Sequence, residues 1–576
     1  MSSSKNPSRP YELREYTGHV HSSDALNLYT ELGGGAEGSP LEQTKTEIHF
    51  HDEVQKEEDD ESRYPSGLQL ALITLSLFVA IFLVAISQLV IATAIPTISD
   101  SFQSFADISW YSIGEQVTAV AVLLPFGRAY TLLSIKWTFV TSVNVYLLGS
   151  AICGSAPSSI ALIIGRMIQG VGMAGVFDGA FIVLAYITPL RKRSLFAGIF
   201  GAAYGIASVL GPVIVNLPIG LVIVPAMIFC LPKNMGSSTS TSGEKRSWWQ
   251  SIKRFDPLGT ILLLTSLVCL TLALEWGGEI YAWRDAHVVA ALTVFAATIL
   301  PWIALQHFQG EEATIPWSMV SQRSVAGSNL YLFFLSGSFA ISIFFLQIWF
   351  QSVQGDTPQS AGLKQLALCL STAVGSVVAG GLVMLTGYYN PYLILGSVCA
   401  TAGCAIMMII DRNAGFGLVI GVQILIGAGV GAGGEQANVA VQAVLPSDKL
   451  ARGTSLTLFV RLLGFAMWVP VAQSIIQKEI LEQLGPELTS EVYGNGGAGD
   501  LHEQLEEIFD GDNTPDYMEA LNRLNYAITR AFVLAMILAA ISLPFAMMVE
   551  WRSVKTKKED SKGKKIAERH GRGSVE

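Results

Sequence analysis

The sequence predicts an all-α polytopic membrane protein with fourteen spanning helices. Three observations carry that reading. Of 576 residues, 51% are hydrophobic and 14% charged, with a mean hydropathy of +0.45, whereas soluble domains carry about 25% charged residues. Apolar segments of membrane length recur from residue 68 onward. Lysines and arginines gather in alternate connections between them, the asymmetry that orients membrane helices.

Residues 1–66 come first, with 14 Asp or Glu against 6 Lys or Arg. Too little apolar area is present there to offset ordering entropy, so a disordered acidic tail is expected. No charged-then-apolar cleavable leader precedes the first apolar run, which is therefore expected to act as an uncleaved signal anchor. Spans are expected near 68–95, 109–133, 137–156, 159–188, 195–214, 216–231, 257–275, 285–307, 325–349, 361–386, 391–410, 416–445, 454–475 and 527–549. Trp110, Trp137, Trp276, Trp283, Trp349 and Trp551 sit near their ends, where an interfacial aromatic belt places them.

One span stands apart in composition. Phe196 to Pro212 reads FAGIFGAAYGIASVLGP, with Gly198, Gly201, Gly205 and Ser208 at helical i, i+3, i+7 and i+10 spacing. Such a face lets a second membrane helix approach until backbones touch. Gly211-Pro212 then ends or kinks the helix. The seam suits either a moving contact or a static packing face.

Arg191-Lys192-Arg193, Lys245-Arg246, Lys253-Arg254, Lys449 with Arg452, and the tail from Arg552 fall on one side of a fourteen-helix count. That side is expected to be cytoplasmic. The loop 477–526, with 12 acidic residues against Lys478 and Arg523, then lies outside. The parity requires a tight hairpin around Val213–Pro218; a single long kinked helix there would invert the rest.

Several stretches jointly carry a resemblance. LIIGRMIQGVGMAG (162–175), the Gly205–Pro212 run, NLPIG (216–220) and GRAYTLLSIKW (127–137) resemble the signature stretches of the major facilitator superfamily. With ATAIPTISDSF, RFDPLGTILLL, FQSVQGDTPQSAG and GGEQANVAVQAVLP, the likeness is to its fourteen-spanning drug:proton antiporters, fungal toxin-efflux pumps among them, over residues 68–550. The resemblance implies two six-helix bundles (67–232 and 310–550) with two helices (257–309) inserted between them, joined through a cytoplasmic linker (233–256), and a basic tail (551–576). It makes Gly198, Gly201, Gly205, Gly211 and Pro212 antiporter-helix packing residues, and Gly127, Arg128 and Lys136 a cytoplasmic loop motif. Three departures stand out. Ser87 occupies the place of a first-helix acid, GRAYTLLSIKW lacks the acidic residue often found there, and the outer loop before NLPIG is missing.

Charge inside a bilayer costs roughly 2.5–3.5 kcal/mol per residue on insertion scales, so such groups face a cavity or a partner. Arg166 stands at the family's motif arginine, and proton coupling or a structural ion pair are its two readings. Asp178 on the same helix has two readings, a replacement for the acid missing at Ser87 or a residue facing lipid headgroups at the inner end. Glu435 and Arg461 both sit about 14 Å in from the cytoplasmic face on consecutive antiparallel helices, which predicts a pair. Gln88, Glu115, Gln116, Gln169 and Gln436 are the polar residues expected at a substrate cavity.

No enzyme motif, metal-ligand set or Walker loop is present, so no cofactor or metal is expected and an ion gradient drives any transport. No nucleic-acid partner is expected either. The reading is a monomeric proton-coupled transporter in the lipid bilayer, exporting hydrophobic or amphipathic small molecules across the plasma membrane or a vacuolar or vesicle membrane. A siderophore or nutrient importer, and a transport-deficient sensor, are the alternatives.

Overall fold

Backbone polar groups have no water to bond in hydrocarbon, so long apolar runs form helices that satisfy those groups internally. The computed structural model follows that rule. It describes residues 64–65, 67–102, 108–210, 256–277, 281–484, 505 and 515–555. Within them lie thirteen long helices. In chain order they are α1 (Gly67–Phe102), α2 (Ile108–Leu132), α3 (Ile135–Gly154), α4 (Ser159–Ile187) and α5 (Leu190–Leu210). Next come α6 (Pro257–Trp276) and α7 (Ala286–Gln309). The rest are α8 (Arg323–Ser352), α9 (Pro358–Thr386), α10 (Asn390–Met407), α11 (Phe416–Val444), α12 (Leu450–Leu484) and α13 (Pro515–Met548).

Among the described residues, eleven of these helices are long and apolar enough to cross a membrane. The span expected at 216–231, the hairpin before it, Gly211, Pro212 and the tail 1–63 lie outside the described residues.

Helix starts follow local chemistry. Ser158 caps α4 by accepting from Ala161 N at 3.3 Å. Thr357 caps α9 with Pro358 just inside, where its missing N–H costs nothing. Asp256, at φ 49°, caps α6 by accepting from Gly259 N at 3.0 Å. Its other oxygen accepts from Gln306 Nε2 at 3.1 Å, which ties α6 to α7.

Two boundaries differ from expectation. The basic cluster at 191–193 opens α5 itself, because Pro189 supplies the first carbonyl of the turn to Lys192 N at 2.9 Å. The loop 477–526 is also shorter than expected, since α12 continues to Leu484 and α13 begins at Pro515. Polar residues extend these helices beyond their apolar stretches through i,i+4 pairs, Lys478–Glu482 at 3.6 Å and Arg523–Glu519 at 2.5 Å. Arg523 Nη1 also donates to Gln483 O at 3.0 Å, joining the two extensions.

Helices α1–α4 form one group and α8–α13 another, with α5 touching α1 in the first group but packing most extensively on α9 of the second. Across the two groups, α5 packs on α9 and α11, and α2 packs on α12. The inserted α6 leans on α2 and α12, whereas α7 packs on α6 and leaves Val289, Val294, Leu300, Ile303 and Phe308 exposed.

Candidate functional site

The two bundles meet where side chains have been removed. A Cβ on Gly198 would strike Ser376 O of α9, and one on Gly380 of α9 would strike Ser194 O of α5. The two glycines are reciprocal, each admitting the other helix's backbone. Further along, a Cβ on Gly205 would lie 2.6 Å from Ala373 Cβ and 2.9 Å from Cys369 O. Gly201 faces Ser376 Oγ at 3.0 Å. The three described glycines of the small face therefore all turn toward the opposite bundle.

At the end carrying the basic loops, polar contacts cross the interface. Asp178 of α4 is fully buried, and Ser455 Oγ of α12 lies 2.7 and 2.6 Å from its two carboxylate oxygens. Gly127 makes room there: a Cβ on it would strike the Ser455 side chain. Tyr186 OH donates to Ser447 O at 3.2 Å, and Arg191 Nε to Met384 O at 2.9 Å. Arg128 Nη1 donates to Thr314 Oγ1 at 3.1 Å, just ahead of α8; on the second bundle's own side, Lys449 meets Glu311 at 2.7 Å. Lys136 is buried in the first turn of α3.

Beyond this seal lies a cavity of about 670 Å³ between the bundles. Phe177, Phe339, Phe344, Phe465 and Met173 give it an aromatic and thioether wall, and Gln88, Gln116, Gln347, Gln365, Gln473 and Gln477 set amides into it. Thioethers and aromatics adapt to varied apolar shapes, while scattered amides fix orientation. Glu435 and Arg461 line it as well, paired at 2.7 Å.

That pair is half hidden, with side chains 5% and 28% exposed respectively. Removing one member of a fully buried pair costs about 3–5 kcal/mol, and exposure of Arg461 discounts this to roughly 1–3 kcal/mol. Glu435→Gln is therefore expected to lower the yield of folded protein and its thermal midpoint by several degrees. Thermal challenge followed by size-exclusion chromatography checks it; an unchanged midpoint removes the pair from any structural role.

Of the polar residues expected at the cavity, Gln88 and Gln116 line it, and Glu115, Gln169 and Gln436 do not. One residue along an α-helix rotates a side chain by about 100°. Glu115 thus turns from the cavity into the first bundle, fully buried, with Oε2 at 2.5 Å from Arg166 Nη2. Arg166 donates through Nε to Tyr111 O at 2.8 Å and through Nη1 to Gln169 Oε1 at 2.9 Å and Ser87 Oγ at 3.3 Å. Gln169 Nε2 completes the cluster by donating to Ser87 Oγ at 2.7 Å. Gln436 is buried one position beyond Glu435, with its amide lacking a hydrogen-bond partner among the described residues.

Sequence reasoning did not single out Ser455, Thr314 or the cavity glutamines of α8, α9 and α12. Ser455 carried no signal, being one hydroxyl among many. The glutamines at 347, 365, 473 and 477 were a readable signal, since amides in spanning segments need a polar surface.

Comparison with known proteins gives a consistent picture. The family model described as Major Facilitator Superfamily matches residues 77–469. The MFS-type transporter phomT of Diaporthe leptostromiformis is 36% identical over 95% of this chain and 95% of its own length. The efflux pump aflT of Aspergillus parasiticus is 37% identical over 86% of this chain and 98% of its own. The aspyridones efflux protein of Neocamarosporium betae is 35% identical, covering 86% of this chain and 90% of its own.

Proposed function

This chain belongs to the Major Facilitator Superfamily, and from that premise we propose that it is a proton-coupled exporter of hydrophobic or amphipathic small molecules. The observation that carries the reading is the cavity between the bundles, closed off at the basic end by Asp178–Ser455, Tyr186–Ser447 and Arg191–Met384. If the basic end is cytoplasmic, as the positive-inside rule has it, the state described holds the substrate site away from the cytoplasm. Export requires the opposite state as well, and the glycine seams of α5 with α9 supply an interface without interlocking side chains. Relatives named an efflux pump and an aspyridones efflux protein support the direction.

Within this reading Arg166, Asp178, Glu435 and Arg461 serve coupling and gating. Asp178 has no charged partner acting on it among the described residues, only the Ser455 hydroxyl of the opposite bundle. Its exchange of a proton is thus tied to making or breaking the seam. Glu435 and Arg461 neutralise each other in the cavity wall and leave it without net charge. The chain acts as a monomer in the plasma membrane, and the multi-pass fold itself is carried by the eleven apolar helices.

Yeast cells expressing the chain and preloaded with rhodamine 6G, or another amphipathic dye from a panel, test this. Energised cells are expected to expel at least one dye faster than vector controls, and a protonophore is expected to abolish the difference. Net accumulation would instead favour the importer, and saturable binding without flux the sensor.

A further inference from the structure

The Glu115–Arg166 pair has no place in the cavity wall or in the sealed end, yet it lies fully inside the first bundle, where a charge is costly. Its arrangement is asymmetric. Arg166 keeps three other acceptors, Tyr111 O, Gln169 Oε1 and Ser87 Oγ, whereas Glu115 Oε1 has no hydrogen-bond partner among the described residues. The arginine is thus held whether or not the carboxylate is ionised, and the carboxylate is held by the arginine alone. Gly170 fixes the register, because a Cβ there would lie 3.0 Å from Glu115 Cα and keep α4 off α2.

The pair also stands one residue behind the cavity on two helices at once. Ser87 and Glu115 face the cluster, while Gln88 and Gln116 line the cavity. Glu115 is thus one helix position, a turn of about 100°, away from the cavity-lining face of α2.

We propose that Glu115 is a second proton-exchange site of this chain, loaded from the cavity and switched against Arg166. In loading, a hydronium ion in the cavity gives its proton to the Glu115 carboxylate; an O–H bond forms and water remains. The ion pair is lost and Arg166 rests on Tyr111, Gln169 and Ser87. In unloading, the O–H bond breaks, the proton leaves on water, and the pair re-forms. The site deepens the transport reading and rests on it for its role, but proton binding itself does not.

The groups facing Glu115 are few. Arg166 and Gln169 come from α4, Ser87 from α1, Tyr146 and Cys153 from α3, and Tyr111 from α2 itself. From α6 and α12, the other neighbours of α2, no described side chain acts on it by charge.

The test is pH-jump infrared difference spectroscopy of the purified full chain in lipid, which reads the C=O stretch of protonated buried carboxyls without any substrate. A titrating band is expected that is lost in Glu115→Gln, displaced in Glu115→Asp and retained in Asp178→Asn. Ser87→Asp combined with Glu115→Gln puts a carboxyl back beside the same guanidinium, and the band is expected to return with a new midpoint. A band unchanged in Glu115→Gln overturns the assignment. Should that variant fail to fold, a folded Ser87→Asp, Glu115→Gln double variant that keeps the parent's band unshifted overturns it instead. A band that behaves as expected in a chain that never moves a dye would sink the export reading and leave this site standing.

Discussion

Asp178→Asn is expected to abolish proton-driven efflux while leaving dye binding measurable. The Ser455 hydroxyl has one hydrogen, and it lies within reach of both Asp178 oxygens and of Ala451 O at 2.8 Å. An ionised Asp178 draws that hydrogen across the bundle interface; a protonated one can donate in return. Asparagine keeps the carbonyl that accepts from Ser455 but has no proton to exchange. A hydrogen bond to a charged group is worth about 1.5–3 kcal/mol and a neutral one about 0.5–1.5 kcal/mol. The seam therefore weakens by only ~1 kcal/mol, roughly a fivefold shift in the balance of open and closed states. Total loss of uphill flux is more than that shift can produce, so it would report the missing proton. Ser455→Ala is the control, since it removes the contact and spares the carboxylate. If Asp178→Asn still exports against a gradient with the pH dependence of the parent, Asp178 carries no proton in the cycle.

Much of the architecture was legible because the bilayer imposes one length on every crossing. Each expected span other than 216–231 overlaps one of α1 through α13, and the Glu435–Arg461 pair followed from equal depth on consecutive antiparallel helices. The same depth argument applied to Glu115 and Arg166, each seven residues from the start of its helix. It was not decisive there because α2 and α4 are not consecutive, and their relative rotation is written in packing. Rotation is hard to read in such helices for a physical reason. Lipid and protein neighbours are both apolar, so a helix has no polar face to betray its orientation. Glutamines 88 and 116 were therefore expected at the cavity on the same footing as Glu115 and Gln169, and only the one-residue turn between neighbours separates them. Asp178 and Ser455 were less legible still, since their contact joins elements 277 residues apart across two bundles.

Gly205→Leu is expected to eliminate transport without preventing membrane insertion. The obstacle is set by α9: Ala373 Cβ at 2.6 Å and Cys369 O at 2.9 Å from where the first added carbon would lie. A backbone carbonyl cannot rotate away as a side chain can, so α5 and α9 must separate or the new side chain must leave its rotamer. Overpacking of this kind costs about 1–3 kcal/mol in a well-packed core. The cost falls on the interface that must form, part and form again, and Gly205 also lines the cavity, so bulk there fills substrate space. The hydrophobic substitution leaves the apolar length of α5 intact, which is why insertion is spared. Gly201→Ala gives the contrast. Its added carbon meets Ser376 Oγ at 3.0 Å and Cβ at 3.2 Å, a short side chain that can yield, and near-parental flux is expected. Adding Ala373→Gly to Gly205→Ala removes the nearer obstacle and should recover flux that Gly205→Ala alone loses. Surface biotinylation separates delivery from activity in each variant. Parental flux in Gly205→Leu would mean that the two bundles never need to come as close as Gly205 permits.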